Sequence, residues 1–181
     1  MNPGNGSATE PAAFISPAAV ALIAVLTALT TAVTMTLAVP FPPTKGFFNL
    51  GDTMVFFSAL TFGWRAGAIC GGIGSAAADV LLGYGTFAPV TLIAKGSEGL
   101  VYGAIGSRGK VWRRVVGVAA GGACMITGYF IGEIFYFGIG PAIAEIPVNV
   151  VQVTVGGSIG LAVSHLVVNV LKEFPRIPSR L

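Results

Sequence analysis

The sequence predicts an all-α fold: a polytopic membrane protein, built as a six-transmembrane-helix bundle with its N- and C-termini cytoplasmic. Three observations predict it. Only 9% of residues are charged and 54% are hydrophobic, whereas a soluble domain carries about 25% charged residues to cover its wetted surface. The apolar residues run on without alternation, and crossing a bilayer core of about 30 Å takes about 20 residues of helix. Lys and Arg gather in connections that fall on one side of such a bundle. A mean hydropathy of +0.85 agrees. Strands are disfavoured, because the apolar runs are continuous and too long for barrel strands.

The elements follow in chain order. Residues 1–15 are polar, carry Gly and Pro, and contain no Lys or Arg. They read as a flexible tail, and without a basic n-region no signal-peptide cleavage is indicated. A single transmembrane domain then covers residues 16–172. Its first span, Pro17–Val39, opens with Ser16 as N-cap and proline at the first helical position, and Pro40, Pro42 and Pro43 end it. The second is expected over Phe48–Trp64 and the third over Ala66–Leu82, closed by Gly83-Tyr84-Gly85. The fourth covers Pro89–Ile105, the fifth Val111–Phe137 and the sixth Pro141–Leu171. Residues 173–181 form a basic cytoplasmic tail.

Orientation comes from the basic residues. Arg65, the group Arg108, Lys110, Arg113 and Arg114, and the tail residues Lys172, Arg176 and Arg180 share one side if there are six spans, while Lys45 alone lies opposite. Trp64 and Trp112 then sit at the inner interface and Tyr84 and Tyr136 at the outer one, an aromatic belt. With a net charge of +3, this clustering reads as topology, and nucleic acid is not an expected partner. The lipid bilayer is. Cys70 and Cys124 lie in separate apolar runs and read as small packing residues.

Charges inside spans are expensive, so each is a functional candidate. Asp52, Asp79, Lys95, Glu98, Glu133 and Glu145 all fall in the outer half when depth is counted at about 1.5 Å per residue, and Asn149 and Gln152 continue inward from Glu145 on one helical face. The inner half is apolar apart from Ser164, His165 and Asn169. A through-pore would need polar groups along its whole path, so this distribution reads as a pocket open outward and closed below. Asp79 and Lys95 read as a structural ion pair across the third–fourth hairpin or as ligand contacts. Glu98 is read as a ligand contact or a cap on a neighbouring helix, and Asn49 and Asp52 as pocket wall or as N-caps of the second helix. His165 reads as a satisfied packing histidine. Acids outnumber bases in this half, and Phe47, Phe48, Phe56, Phe57, Tyr84, Phe87, Tyr102 and Tyr136 offer flat faces. A donor-rich, amino-bearing heteroaromatic ring suits both features.

Small residues recur every fourth position. Gly63/Gly67/Gly71/Ser75, Gly117/Gly121, Gly128/Gly132 and Gly156/Gly160 read as packing surfaces within the bundle, because they let backbones approach. Ala24, Ala28 and Ala32 on the first span are the better candidate for docking a partner helix.

The block GFFNLGDTMVFFSALTFGWRAGAICGGIGSAAADVLLGYGTFAPVTLIAKGSEGLVYGAIG, Gly46–Gly106, resembles the substrate-binding S component of energy-coupling factor (ECF) vitamin transporters. It carries the NLGD, GGIGS, GY and KGSEG segments together, over about a third of the chain. One departure is Phe48 before the asparagine, where the family more usually has tyrosine. The resemblance implies a six-helix membrane subunit in the plasma membrane of a prokaryotic cell. Such a subunit captures a vitamin or precursor outside and releases it inward with a transmembrane T component and two ATP-binding cassette ATPases. It implies docking of the T component on Ala24, Ala28 and Ala32. It also implies a ligand site under the loop between the first two helices and against helices four to six, here Asn49, Asp52, Lys95, Glu98, Glu133, Asn149 and Gln152, beside which Tyr84 is read as a further substrate-binding residue for its flat face. The last three lie outside the matched block and rest on their depth and helical face.

The expected solute is hydroxymethylpyrimidine or thiamine-like. The alternatives are pyridoxine, riboflavin, cobalamin or a queuosine precursor, or a ligand-free membrane scaffold. No catalytic residue, metal site or cofactor is expected: there is one histidine, and there is no GxxxxGK[ST] with which to hydrolyse ATP.

Overall fold

The computed structural model describes residues 16–44, 46–107 and 110–171. The tails assigned to 1–15 and 173–181, with Lys45, Arg108 and Lys172, lie outside the described residues. Among the described residues there are six helices and one short hairpin: α1 (Pro17–Thr36), β1 (Val39–Phe41), β2 (Gly46–Phe48), α2 (Gly51–Phe62), α3 (Trp64–Leu81), α4 (Ala88–Gly106), α5 (Val111–Phe137) and α6 (Ile139–Leu171).

Ser16 caps α1 as its sequence position predicts. Its hydroxyl oxygen accepts the Ala19 N–H at 3.2 Å, with Pro17 in the first turn. Beyond Thr36 the structure departs from expectation. The first helix stops short of Val39 and the second does not begin at Phe48. Between them β1 and β2 pair antiparallel in the register Val39↔Phe48, Pro40↔Phe47, Phe41↔Gly46. Pro40, Pro42 and Pro43 supply no N–H to a helix, and the phenylalanines favour an extended, half-buried surface. Asn49 ends the hairpin: its Oδ1 accepts the Gly51 N–H at 2.9 Å, an Asx-type turn that releases the chain into α2.

The α2–α3 break falls at Gly63, not at Arg65. Gly63 has φ 99°, a region that L side chains avoid, and Trp64 and Arg65 form the first turn of α3. Gly138, at φ 85°, separates α5 from α6 in the same way. Within α6, Pro147 interrupts the hydrogen-bond ladder.

Helices α2 to α6 close a ring in which each packs on the next and α6 returns to α2, while α1 lies outside against α3 and α2. The most extensive contact is α3 on α4. A Cβ on Gly67 would stand 2.8 Å from the Gly99 carbonyl oxygen, and one on Gly71 2.8 Å from that of Lys95. The other spaced glycines pack inside the bundle too: Gly121 on the Glu98 backbone, Gly128 on Ala94 and Gly160 on Phe56.

The outward surface is apolar, with Phe135 83% and Ile93 70% exposed. That is tolerable in lipid and costly in water. Among the described residues α1, α5 and α6 are each long and apolar enough to cross a membrane. At 12 residues, α2 extends only about 18 Å. The protein is an all-α membrane protein.

Candidate functional site

One end of the bundle gathers the hairpin, the N-termini of α2, α4 and α6, and the C-termini of α3 and α5. A cavity of about 20 Å³ lies under the hairpin, lined by Gly46, Phe47, Asn49, Asp79, Phe87, Thr91, Tyr129, Glu145, Asn149 and Gln152. The lining groups come from five elements. Phe47 and Asn49 come from β2 and its exit, Asp79 from the last turn of α3, and Phe87 and Thr91 from the entry to α4. Tyr129 comes from α5, and Glu145, Asn149 and Gln152 from successive turns of α6.

The hairpin is tied to α6 across the cavity. The Asn49 N–H donates to Gln152 Oε1 at 3.0 Å. Tyr129 OH meets Thr91 Oγ1 at 3.0 Å, which bridges α5 to α4. Phe87 stacks on Phe137, ring centroids 5.3 Å apart.

One layer below sits a buried charge cluster. Lys95 Nζ contacts Asp52 Oδ1, and Glu98 Oε2 is 3.7 Å from the same nitrogen. All three side chains are essentially inaccessible. Lys95 also reaches toward the cavity, 5.8 Å from the Tyr129 ring centroid. Its salt-bridge partner is therefore Asp52, and the expected Asp79–Lys95 pair does not form. Asp79 instead lines the cavity. The reason is azimuth: depth placed Asp79 and Lys95 within reach, but α4 turns its lysine toward the start of α2. Likewise Asp52 does not cap α2, and neither oxygen of Glu98 accepts a backbone hydrogen bond.

Of the sequence-predicted site residues, Asn49, Asn149 and Gln152 meet at the cavity. Tyr84 stands behind it, half-buried, its ring on Phe47 at 4.7 Å. Glu133 is buried beside Glu145 without lining the cavity itself. Asp52, Lys95 and Glu98 form the layer underneath. Two expected stacking faces belong to the core: Phe56 and Tyr102 pack edge-to-face at 4.5 Å, fully buried. His165 is exposed beside Asn169 and is not a packing histidine. Tyr129 and Thr91 were missed. The available signal was spacing, since Tyr129 lies four residues before Glu133 and therefore on its face of α5.

Beneath the charge layer, Phe56, Leu60, Tyr102, Met125 and Val153 form a continuous apolar core. Further down, Thr61 and Ser164 satisfy one another at 3.0 Å. The polar groups thus form a blind-ended site. Among the described residues no His/Cys/Asp/Glu group is arranged to hold a metal ion.

Residues 14–169 match the family model described as ECF-type riboflavin transporter, S component. An uncharacterised Pyrococcus woesei protein from the gap 3′ region is 36% identical over 135 residues, covering 72% of this chain and 90% of that protein. The thiamine precursor transporter HmpT of Lactococcus lactis subsp. cremoris is 31% identical over 147 residues, 81% of this chain and 85% of its own length. A helical membrane bundle with a blind polar cavity at one end, matched over nearly its whole length, belongs to the S-component family of ECF-type transporters.

Proposed function

We propose that the protein captures a vitamin or vitamin precursor at the hairpin end and passes it inward as the S component of an ECF importer. A hydroxymethylpyrimidine- or thiamine-like solute is the preferred cargo. The subunit is a carrier and not an enzyme. The observation that carries the reading is the cavity: polar groups from five elements and aromatic faces converge under a hairpin, over a closed apolar core. The relative named as a thiamine precursor transporter supports a vitamin-class cargo.

In this reading Asn49, Asn149 and Gln152 hold the polar edges of the solute, and Tyr84 keeps Phe47 against its face. The Asp52–Lys95–Glu98 cluster fixes the floor by clamping α2 to α4, and Glu133 backs Glu145. The chain crosses a prokaryotic plasma membrane six times, with both termini cytoplasmic and the hairpin outside. Trp64 and Trp112, both exposed, then lie at the inner interface. A T component docks on Ala24, Ala28 and Ala32, which sit on the exposed face of α1 while Leu26, Thr30 and Thr34 face inward. Two ATP-binding cassette ATPases supply the energy.

The test is native mass spectrometry of the detergent-purified full chain from cells grown in rich medium, followed by equilibrium binding to a vitamin panel. A single vitamin-like mass, or one tight binder from the panel, is the expected result. An apo mass together with no binding across the panel would overturn the reading.

A further inference from the structure

The end of the bundle away from the hairpin carries charge of one sign. The five described acidic residues, Asp52, Asp79, Glu98, Glu133 and Glu145, line, flank or underlie the hairpin-end cavity. Of the described basic residues, Lys95 alone joins them. Arg65, Lys110, Arg113 and Arg114 stand at the starts of α3 and α5, and none has a salt-bridge partner among the described residues. Arg65, Lys110 and Arg113 are exposed. The packing of α4 brings the two helix starts together. The Trp64 backbone fills the space that a Cβ on Gly103 would need, and a Cβ on Gly106 would stand 3.5 Å from the Arg114 Cα. The last turn of α4 is therefore flanked by Trp64 and Arg65 on one side and by Arg113 and Arg114 on the other. Both tryptophans of the chain lie here. Trp64 is 45% and Trp112 62% exposed, and the Arg65 guanidinium lies 5.2 Å from the Trp64 ring centroid. Leu100 on α4 and Val111 and Val115 on α5 carry the exposed apolar surface up to the cations.

We propose that this end of the bundle holds an anionic phospholipid, its phosphate among Arg65, Lys110 and Arg113 and its acyl chain along Leu100 and Val115. The site is separate from the cavity and does not depend on what the cavity binds. Cations at the end of a membrane helix attract anionic headgroups, with a gain in affinity of about fivefold for each Lys or Arg. Arginine adds a planar fork of donors that matches a phosphate. Indole rings settle at headgroup level, where one edge is wet and the other apolar. A lipid therefore satisfies all three kinds of side chain at once: cation, indole and aliphatic. A water-soluble acidic partner would pair the cations and leave Val111 and Trp112 uncovered.

The two tryptophans supply the test, because both stand at the proposed site. The full chain, freed of co-purified lipid, is reconstituted in phosphatidylcholine bilayers. Dibrominated phosphatidylglycerol or dibrominated phosphatidylcholine, brominated near the headgroup, is then added in rising mole fraction, and quenching of tryptophan fluorescence is read. Phosphatidylglycerol is expected to quench with an apparent affinity at least about tenfold higher. Arg65→Gln with Arg113→Gln is expected to bring the two lipids within about twofold of one another. Arg176→Gln with Arg180→Gln, in the C-terminal tail, is expected to leave the preference in place. Equal quenching of the unaltered protein by the two lipids overturns the proposal and leaves the patch to an acidic protein partner. A preference that survives the Arg65 and Arg113 changes, or that vanishes with the tail changes alone, also overturns it. If the double variant at Arg65 and Arg113 fails to fold, Arg113→Gln alone takes its place, with an expected drop in preference of about threefold. No drop there overturns the proposal equally.

Discussion

Lys95 holds its ammonium at 1% exposure in the middle of the bundle, and Asp52 is the group that makes this tolerable. Removing one partner of a buried pair strands the other, at about 3–5 kcal/mol. Lys95→Met is therefore expected to lower the melting temperature of the purified protein sharply. Adding Asp52→Asn should restore much of the loss, because the stranded charge goes with it. A Lys95→Met variant as stable as the parent would mean the pair contributes nothing. At this scale the sequence revealed which residues mattered better than whom they touch. Asp52, Lys95 and Glu98 stood out as charges in apolar runs, and Asn149 and Gln152 by their spacing from Glu145. Position along a helix gives depth directly, but rotation about its axis is set by packing, so depth alone could not choose Asp52 over Asp79 as the partner of Lys95. Tyr129 stayed hidden because a tyrosine in an apolar helix looks like core until its neighbours are known.

Helix ends marked by proline and glycine were legible: α5 over Val111–Phe137 and the start of α1 fall where the punctuation puts them. The hairpin was not, since two strands of three residues leave too little alternation to detect. The spaced glycines became meaningful only with their partners in place. The α3–α4 seam brings backbone against backbone at Gly67 and Gly99, so Gly67→Leu has no space to enter. Overpacking of this kind costs about 1–3 kcal/mol, and the seam offers backbone, not flexible side chains, to move aside. Gly140, by contrast, has nothing near its missing Cβ, and Gly140→Ala is expected to be neutral or to stabilise α6 by up to about 1 kcal/mol. Thermal melts of the two variants side by side check the contrast. Equal tolerance of both would remove the seam as a determinant of the fold.

For the molecule as a whole, the two proposed surfaces lie on different elements. The cavity draws on the hairpin and α3 to α6, while the alanine ridge is on the outer face of α1. Capture and coupling should therefore separate. Ala28→Trp is expected to leave solute affinity in detergent unchanged and to abolish both co-purification with the ATP-hydrolysing module and uptake by cells. Full uptake with the tryptophan in place would move the docking surface elsewhere. The six-helix architecture and the gathering of polar groups at one end could be read from sequence, because both follow from length, hydropathy and depth. The closure of the cavity could not, because it depends on a hydrogen bond between Asn49 and Gln152, 103 residues apart. Pro147 gives that closure a mechanical character. Its missing N–H leaves the ladder open between the turn that carries Glu145 and the turns that carry Asn149 and Gln152. The α6 wall is thus two stiff levers on one joint, with its compliance concentrated at a single residue. A tilt of the short lever would change the width of the cavity while the rest of the bundle keeps its shape.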